Sequence, residues 1–221
     1  MAPPALQTDA DRGQPLAGEG WLGGSVTASE IAGEARANLL RIVGIGSFYI
    51  IELCNFYGVH LGPLELDKIV DDKFHQSVTA VAVAWVLLAL ATHVALVRGL
   101  WFPALKFMTT TGDLILLTTI LMIADGPRSP LVVGYFLIVV LSGLRLRLSL
   151  VRWCTIGSVL AYLVLLGYAK WFAVDRQITV PRYQELIILL ALALTGVILG
   201  QIIRRVNDLS GVGAHRLTAT E

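Results

Sequence analysis

The stretch DLILLTTILMIADGPRSPLVVGYFLIVVLSGLRLRL, residues 113–148, consists of two apolar runs separated by a short segment of turn-forming residues. Within that segment Gly126 suits the left-handed backbone just past a helix end, and Ser129 is a natural helix N-cap. Pro130 fits a first helical turn, where its missing N–H is not needed. The pattern predicts two helices joined by a tight corner at residues 124–130.

The composition of the whole chain agrees with helices that lie in lipid. Of the 221 residues, 56% are hydrophobic and 15% are charged, whereas an ordinary soluble domain has about 45–50% and about 25%. The mean hydropathy is +0.72. The net charge of +1 comes without a clustered basic stripe, which argues against nucleic-acid binding. An all-α, polytopic membrane protein is therefore expected.

Six apolar runs approach the roughly 17–25 residues that a transmembrane helix needs, which predicts a six-helix bundle. The fourth run is the weakest, because its uncharged core from Leu131 to Leu144 has only 14 residues, and a re-entrant or buried segment is the alternative. The expected spans are Leu39–Val59, Ser77–Val97, Phe107–Ala124, Pro130–Leu146, Val151–Phe172 and Glu185–Ile203.

The basic residues predict the orientation of these spans. With six spans, eleven of them fall on one side of the membrane and six on the other. By the positive-inside rule both termini are expected in the cytoplasm. The larger set is Arg12, Arg36, Arg41, Arg98, Lys106, Arg145, Arg147, Arg152, Arg204, Arg205 and Arg216.

The segments outside the spans are short. Residues 1–25 are rich in Pro, Gly and Ala and have no periodic apolar face, which predicts a disordered cytoplasmic tail. Thr27 and Glu30 have capping-box spacing, so a helix is expected to begin near Ala28. The transmembrane domain is expected over 26–203, followed by a short cytoplasmic tail over 204–221.

Ionisable residues inside apolar runs are the first candidates for function, because each is costly in lipid. Asp113 lies about 10 Å inside the third span at 1.5 Å per residue, where Arg41 or Arg145 can reach it. A buried charge pair is expected there. Such a pair either fixes helix packing or shifts when the bundle changes conformation.

Glu52 is a second acidic residue within a span. Asn55 lies on the same helical face, and Thr119 and Tyr135 fall at similar depth in the third and fourth spans. These four residues are expected to form an intramembrane polar cluster. It is interpreted either as hydrogen bonding that holds helices together or as a small-molecule site of quinone size.

No cofactor and no metal are expected. The histidines are poorly matched for bundle haem ligation, although a haem between His60 and His75 is an alternative. Gly196 and Gly200 have the small-xxx-small spacing that allows close helix contact. That contact is either with a membrane-protein partner or second copy, or with another span of the same bundle.

At residues 113–148 the chain resembles the six-helix membrane input domain of bacterial sensor histidine kinases and of some nucleotide cyclases. The similarity rests on an Asp that begins an apolar helix, a Gly-containing turn with Ser-Pro, and an aromatic-containing helix that ends in basic residues. Asp113, Gly126, Ser129, Pro130, Tyr135 and Arg145 occupy those positions. Pro127 stands where the family usually has a second glycine.

The resemblance implies a sensor-like module of a bacterial inner membrane, involved in signal transduction. No kinase or cyclase transmitter follows the sixth span in this sequence, which is expected either of a free-standing relative or of a fragment of a longer product, and no catalytic motif is recognisable. The expected function is therefore non-enzymatic, namely a sensor-like or accessory module that acts through helix–helix association with a membrane partner. A small transporter or channel is the alternative.

Overall fold

Six α-helices account for most of the described chain in this computed structural model. Residues 17–58, 60–61, 64–65, 71–98, 104–173 and 178–218 are described, with their side chains over 33–58, 71–98, 104–173 and 178–209. The helices are α1 (Ala17–Tyr57), α2 (Asp72–Val97), α3 (Leu105–Ile123), α4 (Val133–Gly143), α5 (Leu148–Trp171) and α6 (Arg182–Thr218). Two short strands, β1 (His60–Leu61) and β2 (Leu64–Glu65), pair antiparallel between α1 and α2.

Five of these helices are long and apolar enough to cross a membrane, so the protein is an all-α, multi-pass membrane protein. The expected sixth span is shorter than the others. α4 has 11 residues and follows a three-residue 3-10 turn, Pro130–Val132. Together these residues extend about 22 Å, less than the roughly 30 Å hydrocarbon core of a bilayer. Six full-length spans are therefore not found among the described residues.

α3 is the central helix and α1 is the most peripheral of the five. In the most apolar window of each helix, 44% of α3 residues but only 11% of α1 residues are buried. α1 packs mainly on α2, and α2 packs on α3. α3 in turn contacts α4 and α5, and α6 packs on α5 and α4. α1 and α6 thus lie on opposite flanks of the bundle.

The apolar core joins α3, α4, α5 and α6. Its fully buried members include Leu121, Tyr135, Val139, Tyr162 and Leu192. The rings of Tyr135 and Tyr162 meet edge to face with centroids 6.3 Å apart, a favourable aromatic geometry. Residues 33–57 of α1, whose side chains are described, contribute nothing to this core, and α2 reaches it only through the half-buried Trp85.

The two ends of the bundle differ, and each is named here after one residue. The Arg145 end contains the turn between α4 and α5. The His75 end contains the first turn of α2 and the corner at residues 124–130.

Both terminal helices are longer than a membrane span. α1 has 41 residues and α6 has 37, which correspond to about 62 Å and about 55 Å. Residues 17–25 are helical, so the disorder expected over 1–25 is wrong for that part, while 1–16 lie outside the described residues. The helix begins soon after Pro15, the last proline before Pro63. At the other terminus, residues 204–218 continue α6 as a helix.

Candidate functional site

One face of α1 carries a row of buried residues that are mostly polar. Glu34, Ala37, Asn38, Arg41 and Ile45 are all buried, and their spacing of three or four residues places them on one side of a helix. α1 therefore meets the rest of the bundle through charged and amide groups. Buried charges of this kind need partners, because desolvation strongly disfavours an isolated ion.

Asp113 of α3 is the partner of Arg41. The Arg41 guanidinium Nη2 lies 2.8 Å from Asp113 Oδ2, and its Nε donates to the same oxygen at 2.9 Å. The indole N–H of Trp85 in α2 donates to Asp113 Oδ1 at 2.8 Å. Arg41 also donates to Asn38, whose amide donates to the Ala89 carbonyl of α2. Both carboxylate oxygens of Asp113 are thus engaged, and the cluster ties α1, α2 and α3 together.

Arg145, in the turn after α4, pairs with Glu34 of α1. Its Nη2 lies 2.6 Å from Glu34 Oε1. Its Nη1 donates to the Lys106 carbonyl at 3.2 Å and to Thr110 Oγ1 at 3.0 Å in α3. Burial lowers the pKa of the Arg145 guanidinium, and the Glu34 carboxylate opposes that shift. The pair therefore links α1 to the α4–α5 turn and to α3.

An unusual backbone conformation lies in this turn. Leu146 has φ 50, in the left-handed region that is unfavourable for a leucine. Its N–H donates to the Gly143 carbonyl at 2.9 Å, which closes the end of α4. Arg145 thus lies between a closed helix end and a strained residue, an arrangement that fixes its backbone.

The charge pair expected from the sequence is present in one of its two forms. Asp113 pairs with Arg41, whereas Arg145 bonds to Glu34, which the sequence reasoning did not include among the buried charges. The first span was expected to begin at Leu39, and that boundary left Glu34 outside it. The periodic spacing of Glu34, Asn38 and Arg41 is the signal that identifies this residue as part of the buried face.

A second polar contact joins α1 and α2 at the His75 end. Glu52 Oε1 lies 2.9 Å from His75 Nδ1. The His75 ring also stacks on Phe56, with centroids 4.0 Å apart and planes 13° apart. One turn along, the Tyr49 hydroxyl and Thr79 Oγ1 are 3.1 Å apart. His75 lies in α2, which begins at Asp72 rather than near Ser77.

The expected cluster of Glu52, Asn55, Thr119 and Tyr135 does not form. Glu52 bonds to His75, and the Tyr135 hydroxyl lies 2.9 Å from Thr118 Oγ1 rather than from Thr119. Thr119 donates to the Ile115 carbonyl of its own helix. One residue corresponds to about 100° of helix rotation, so Thr118 shares the buried face of Leu114, Leu117 and Leu121 while Thr119 does not.

The corner at residues 124–130 has the local chemistry that its sequence predicts. Gly126 has φ 58, and a Cβ there would lie 2.8 Å from Ile178 Cδ1, so both backbone and space favour glycine. Ser129 Oγ accepts from the Leu131 N–H at 3.3 Å, and Pro130 begins the 3-10 turn before α4.

Gly196 and Gly200 contact α5 of the same chain. A Cβ at Gly196 would collide with the Thr155 side chain, and one at Gly200 would lie 3.3 Å from Leu148 Cδ1. Of the two interpretations of this spacing, the structure agrees with contact inside the bundle. These glycines therefore give no evidence for a surface that binds a partner.

A cavity of about 420 Å³ lies between α1, α2, α3 and α4. Its walls are almost wholly apolar, and they include Val43, Phe48, Val78, Leu137 and Leu141. Arg41 and Asp113 line it towards the Arg145 end, and Glu52 lines it towards the His75 end. The Arg41–Asp113 pair and the Glu52–His75 contact of α1 therefore lie at opposite ends of one apolar cavity.

The described residues contain no group of three His, Cys, Asp or Glu side chains that could hold a metal ion. Cys54 and Cys154 are both free thiols. The His60 side chain, which the haem alternative requires, lies outside the described side chains.

Comparison of the chain with protein-family models, with curated proteins and with solved structures finds no match.

Proposed function

We propose that this protein is a non-enzymatic membrane module of the sensor-like or accessory type, in which α1 is the element that responds to a signal. One observation carries this proposal: residues 33–57 of α1, whose side chains are described, take no part in the apolar core and are held by two buried ion pairs, Arg41–Asp113 and Glu34–Arg145. A buried ion pair is either made or broken, because a buried charge left without its partner is costly. Such pairs therefore favour discrete positions of a helix.

The proposed output runs through the terminal helices. A span needs about 20 residues, and α1 and α6 have 41 and 37. Glu34 pairs with Arg145, and Gly200 faces Leu148 at the start of α5, so both extensions lie beyond the Arg145 end. A change in the position of α1 would thus alter these extensions, to which another membrane protein or a second copy of the chain can bind.

The cellular setting is part of the same proposal. The excess of basic residues favours a cytoplasmic Arg145 end and cytoplasmic termini. The resemblance of residues 113–148 to bacterial input domains favours a bacterial inner membrane and a role in signal transduction. No catalytic step is included, because the buried ionised groups Glu34, Arg41, Asp113 and Arg145 are engaged with one another in two ion pairs.

A small transporter or channel is the second candidate, and the cavity beside α1 favours it. The apolar walls are unsuited to a hydrophilic solute or an ion. All eight prolines also lie outside α1–α6, whereas transporters commonly have helices that Pro or Gly interrupts at mid-membrane. The sensor-like module is the better supported of the two.

Site-specific photocross-linking tests the proposed association. A photoreactive amino acid replaces Leu209, which is 73% exposed on the α6 extension, or Leu163, which is 45% exposed within the α5 span. In native membranes we expect a protein adduct of fixed mass from position 209 and lipid adducts from position 163. A differently tagged second copy distinguishes self-association from a different partner.

The opposite result has a defined form. If neither position gives a protein adduct, the purified protein is a strict monomer and liposomes containing it show solute flux, the transporter alternative is correct. Protein adducts of equal yield from both positions would also contradict an output through the α6 extension.

A further inference from the structure

The cavity beside α1 has the dimensions of a binding site for a small lipid-soluble molecule. Its volume of about 420 Å³ lies in the range of ligand pockets. Arg41 and Glu52 are eleven residues apart on α1, which makes the cavity about 16 Å long in that direction. α1 and α4 touch at few positions, so a molecule dissolved in the bilayer can enter between these two helices.

The two ends of the cavity differ in what they offer a ligand. Towards the Arg145 end, Arg41 donates to both Asp113 and Asn38, and the remaining Asp113 oxygen accepts from Trp85. At the other end, Glu52 Oε1 is bonded to His75. Glu52 Oε2 is buried and has no hydrogen-bond partner within the described part of the chain. A buried carboxylate oxygen without a donor is costly, and a bound donor would relieve that cost.

We propose that this cavity binds a lipid-soluble alcohol whose hydroxyl group donates to Glu52 Oε2 and whose apolar chain runs along α1 towards Trp85. An alkane or a lipid acyl chain would pack against the apolar walls but would donate no hydrogen bond to Glu52 Oε2. A fatty acid anion would place a second negative charge beside Glu52. The chain of an alcohol packs against the apolar walls, and its hydroxyl group donates a hydrogen bond to the carboxylate. Its binding does not depend on the proposed membrane partner.

Quenching of tryptophan fluorescence by a brominated alcohol tests the site. Trp85 lines the cavity at the end away from Glu52, so the bromine of ω-bromododecanol lies near it when the hydroxyl is at Glu52. The full-length protein in nanodiscs is titrated with ω-bromododecanol and, separately, with bromododecane. We expect saturable quenching by the alcohol, with half-saturation at about a tenfold lower mole fraction than for the alkyl bromide.

Two glycines of α1 provide a matched pair of variants. A Cβ added at Gly44 or at Gly46 meets no atom within 4 Å, but only Gly44 lines the cavity. Gly44→Leu places a side chain on the cavity wall, at a position where the added Cβ meets no atom, and should abolish the saturable quenching. Gly46→Leu adds the same side chain outside the cavity and should leave it unchanged. Trp85→Phe should remove the saturable signal, because Trp85 is the only tryptophan among the described residues that line the cavity, and Trp153 and Trp171 are exposed.

A change at Glu52 separates the hydroxyl contact from filling of the cavity. Glu52→Leu should abolish the tenfold preference for the alcohol while the alkyl bromide still quenches. Equal binding of the two probes by the unmodified protein would overturn the proposal, since the cavity would then be filled by any lipid chain. Equal effects of Gly44→Leu and Gly46→Leu would overturn it as well.

Discussion

α1 and the four-helix group α3–α6 are held in the same protein by different forces. α3–α6 share an apolar core in which Leu121, Tyr135, Val139, Tyr162 and Leu192 are fully buried. α1 is attached by polar groups at two levels, with a cavity between them. In a bilayer, apolar surface gains little from leaving lipid, so close packing and hydrogen bonds decide which helices associate.

The difference indicates which part of the molecule can change position. The packed core of α3–α6 would lose many contacts with any shift, and it therefore behaves as a rigid unit. α1 is held by its packing on α2 and by a few polar contacts, of which the two buried ion pairs lie towards the Arg145 end. A ligand in the cavity would act on α1 against these contacts, and the buried ion pairs are expected to be the strongest of them.

Breaking the Arg41–Asp113 pair should have the largest effect. Arg41→Met or Asp113→Leu leaves one buried charge without its partner, and each should lower the free energy of unfolding by about 3–5 kcal/mol. The double variant should recover most of that loss, because the two introduced side chains pack without charge. Titration with a denaturing detergent, monitored by circular dichroism, provides the four free energies of this cycle.

Arg36 provides the control for that experiment. It lies on the exposed face of α1, so Arg36→Met should change the free energy of unfolding by less than about 0.5 kcal/mol. If the double variant is as unstable as the sum of the single ones, the two residues act independently, and the pair does not hold α1.

The Glu52–His75 contact should be weaker. Its side chains are partly exposed, at 12% for Glu52 and 20% for His75, whereas those of Arg41 and Asp113 are at 5% and 8%. A double-mutant cycle with Glu52→Leu and His75→Leu should give a coupling energy of at most about 1.7 kcal/mol. A coupling as large as that of Arg41 with Asp113 would show that α1 is held equally at both ends.

Local chemistry in this protein was predictable from sequence. The corner at residues 124–130 has its left-handed glycine, its serine cap and its first-turn proline because each property belongs to a single residue and its neighbours. The pairing of Asp113 with Arg41 could also be expected, because a carboxylate in lipid requires a cation and few were available at its depth.

Features that depend on helix boundaries and rotation could not be predicted in the same way. Hydropathy places the start of the first span at Leu39, which leaves Glu34 outside it. The ion pair of Glu34 with Arg145 shows that the buried face of α1 already includes this residue, five positions before Leu39. The prediction that Thr119 lies near Tyr135 was wrong, because Thr118 occupies that face of α3. Adjacent residues differ by about 100° of rotation about the helix axis. Which face of α3 meets α4 depends on the packing of both helices, and a single sequence does not specify it.

The hydrogen bond between Thr118 and Tyr135 tests that rotation within the apolar core. Thr118→Val keeps the shape of the side chain and removes the hydroxyl, so the free energy of unfolding should fall by about 0.6 kcal/mol, the average for such bonds in a bilayer. Thr119→Val removes only a bond to its own helix and should have no measurable effect. Equal losses from the two variants would contradict the assignment of Thr118 to the buried face. Both are measured in the same detergent titration.

The smallest effect is expected at Leu146, whose strained backbone fixes the turn that carries Arg145. A left-handed conformation costs a leucine about 1–2 kcal/mol, and glycine avoids that cost while losing about 0.5–1 kcal/mol of chain entropy. Leu146→Gly should therefore raise the free energy of unfolding by roughly 0.5 kcal/mol.

Leu144 is the matched control, because it lies two residues away, is similarly exposed at 46% against 52%, and has an ordinary helical φ of −62. Leu144→Gly gains nothing from the backbone and should lower the free energy of unfolding by about 1 kcal/mol. The two substitutions remove the same side chain from the same turn, so an opposite sign isolates the backbone contribution. If both substitutions lower the free energy of unfolding by the same amount, the loss comes from the contact of these leucine side chains with lipid. The backbone strain at Leu146 then does not fix Arg145.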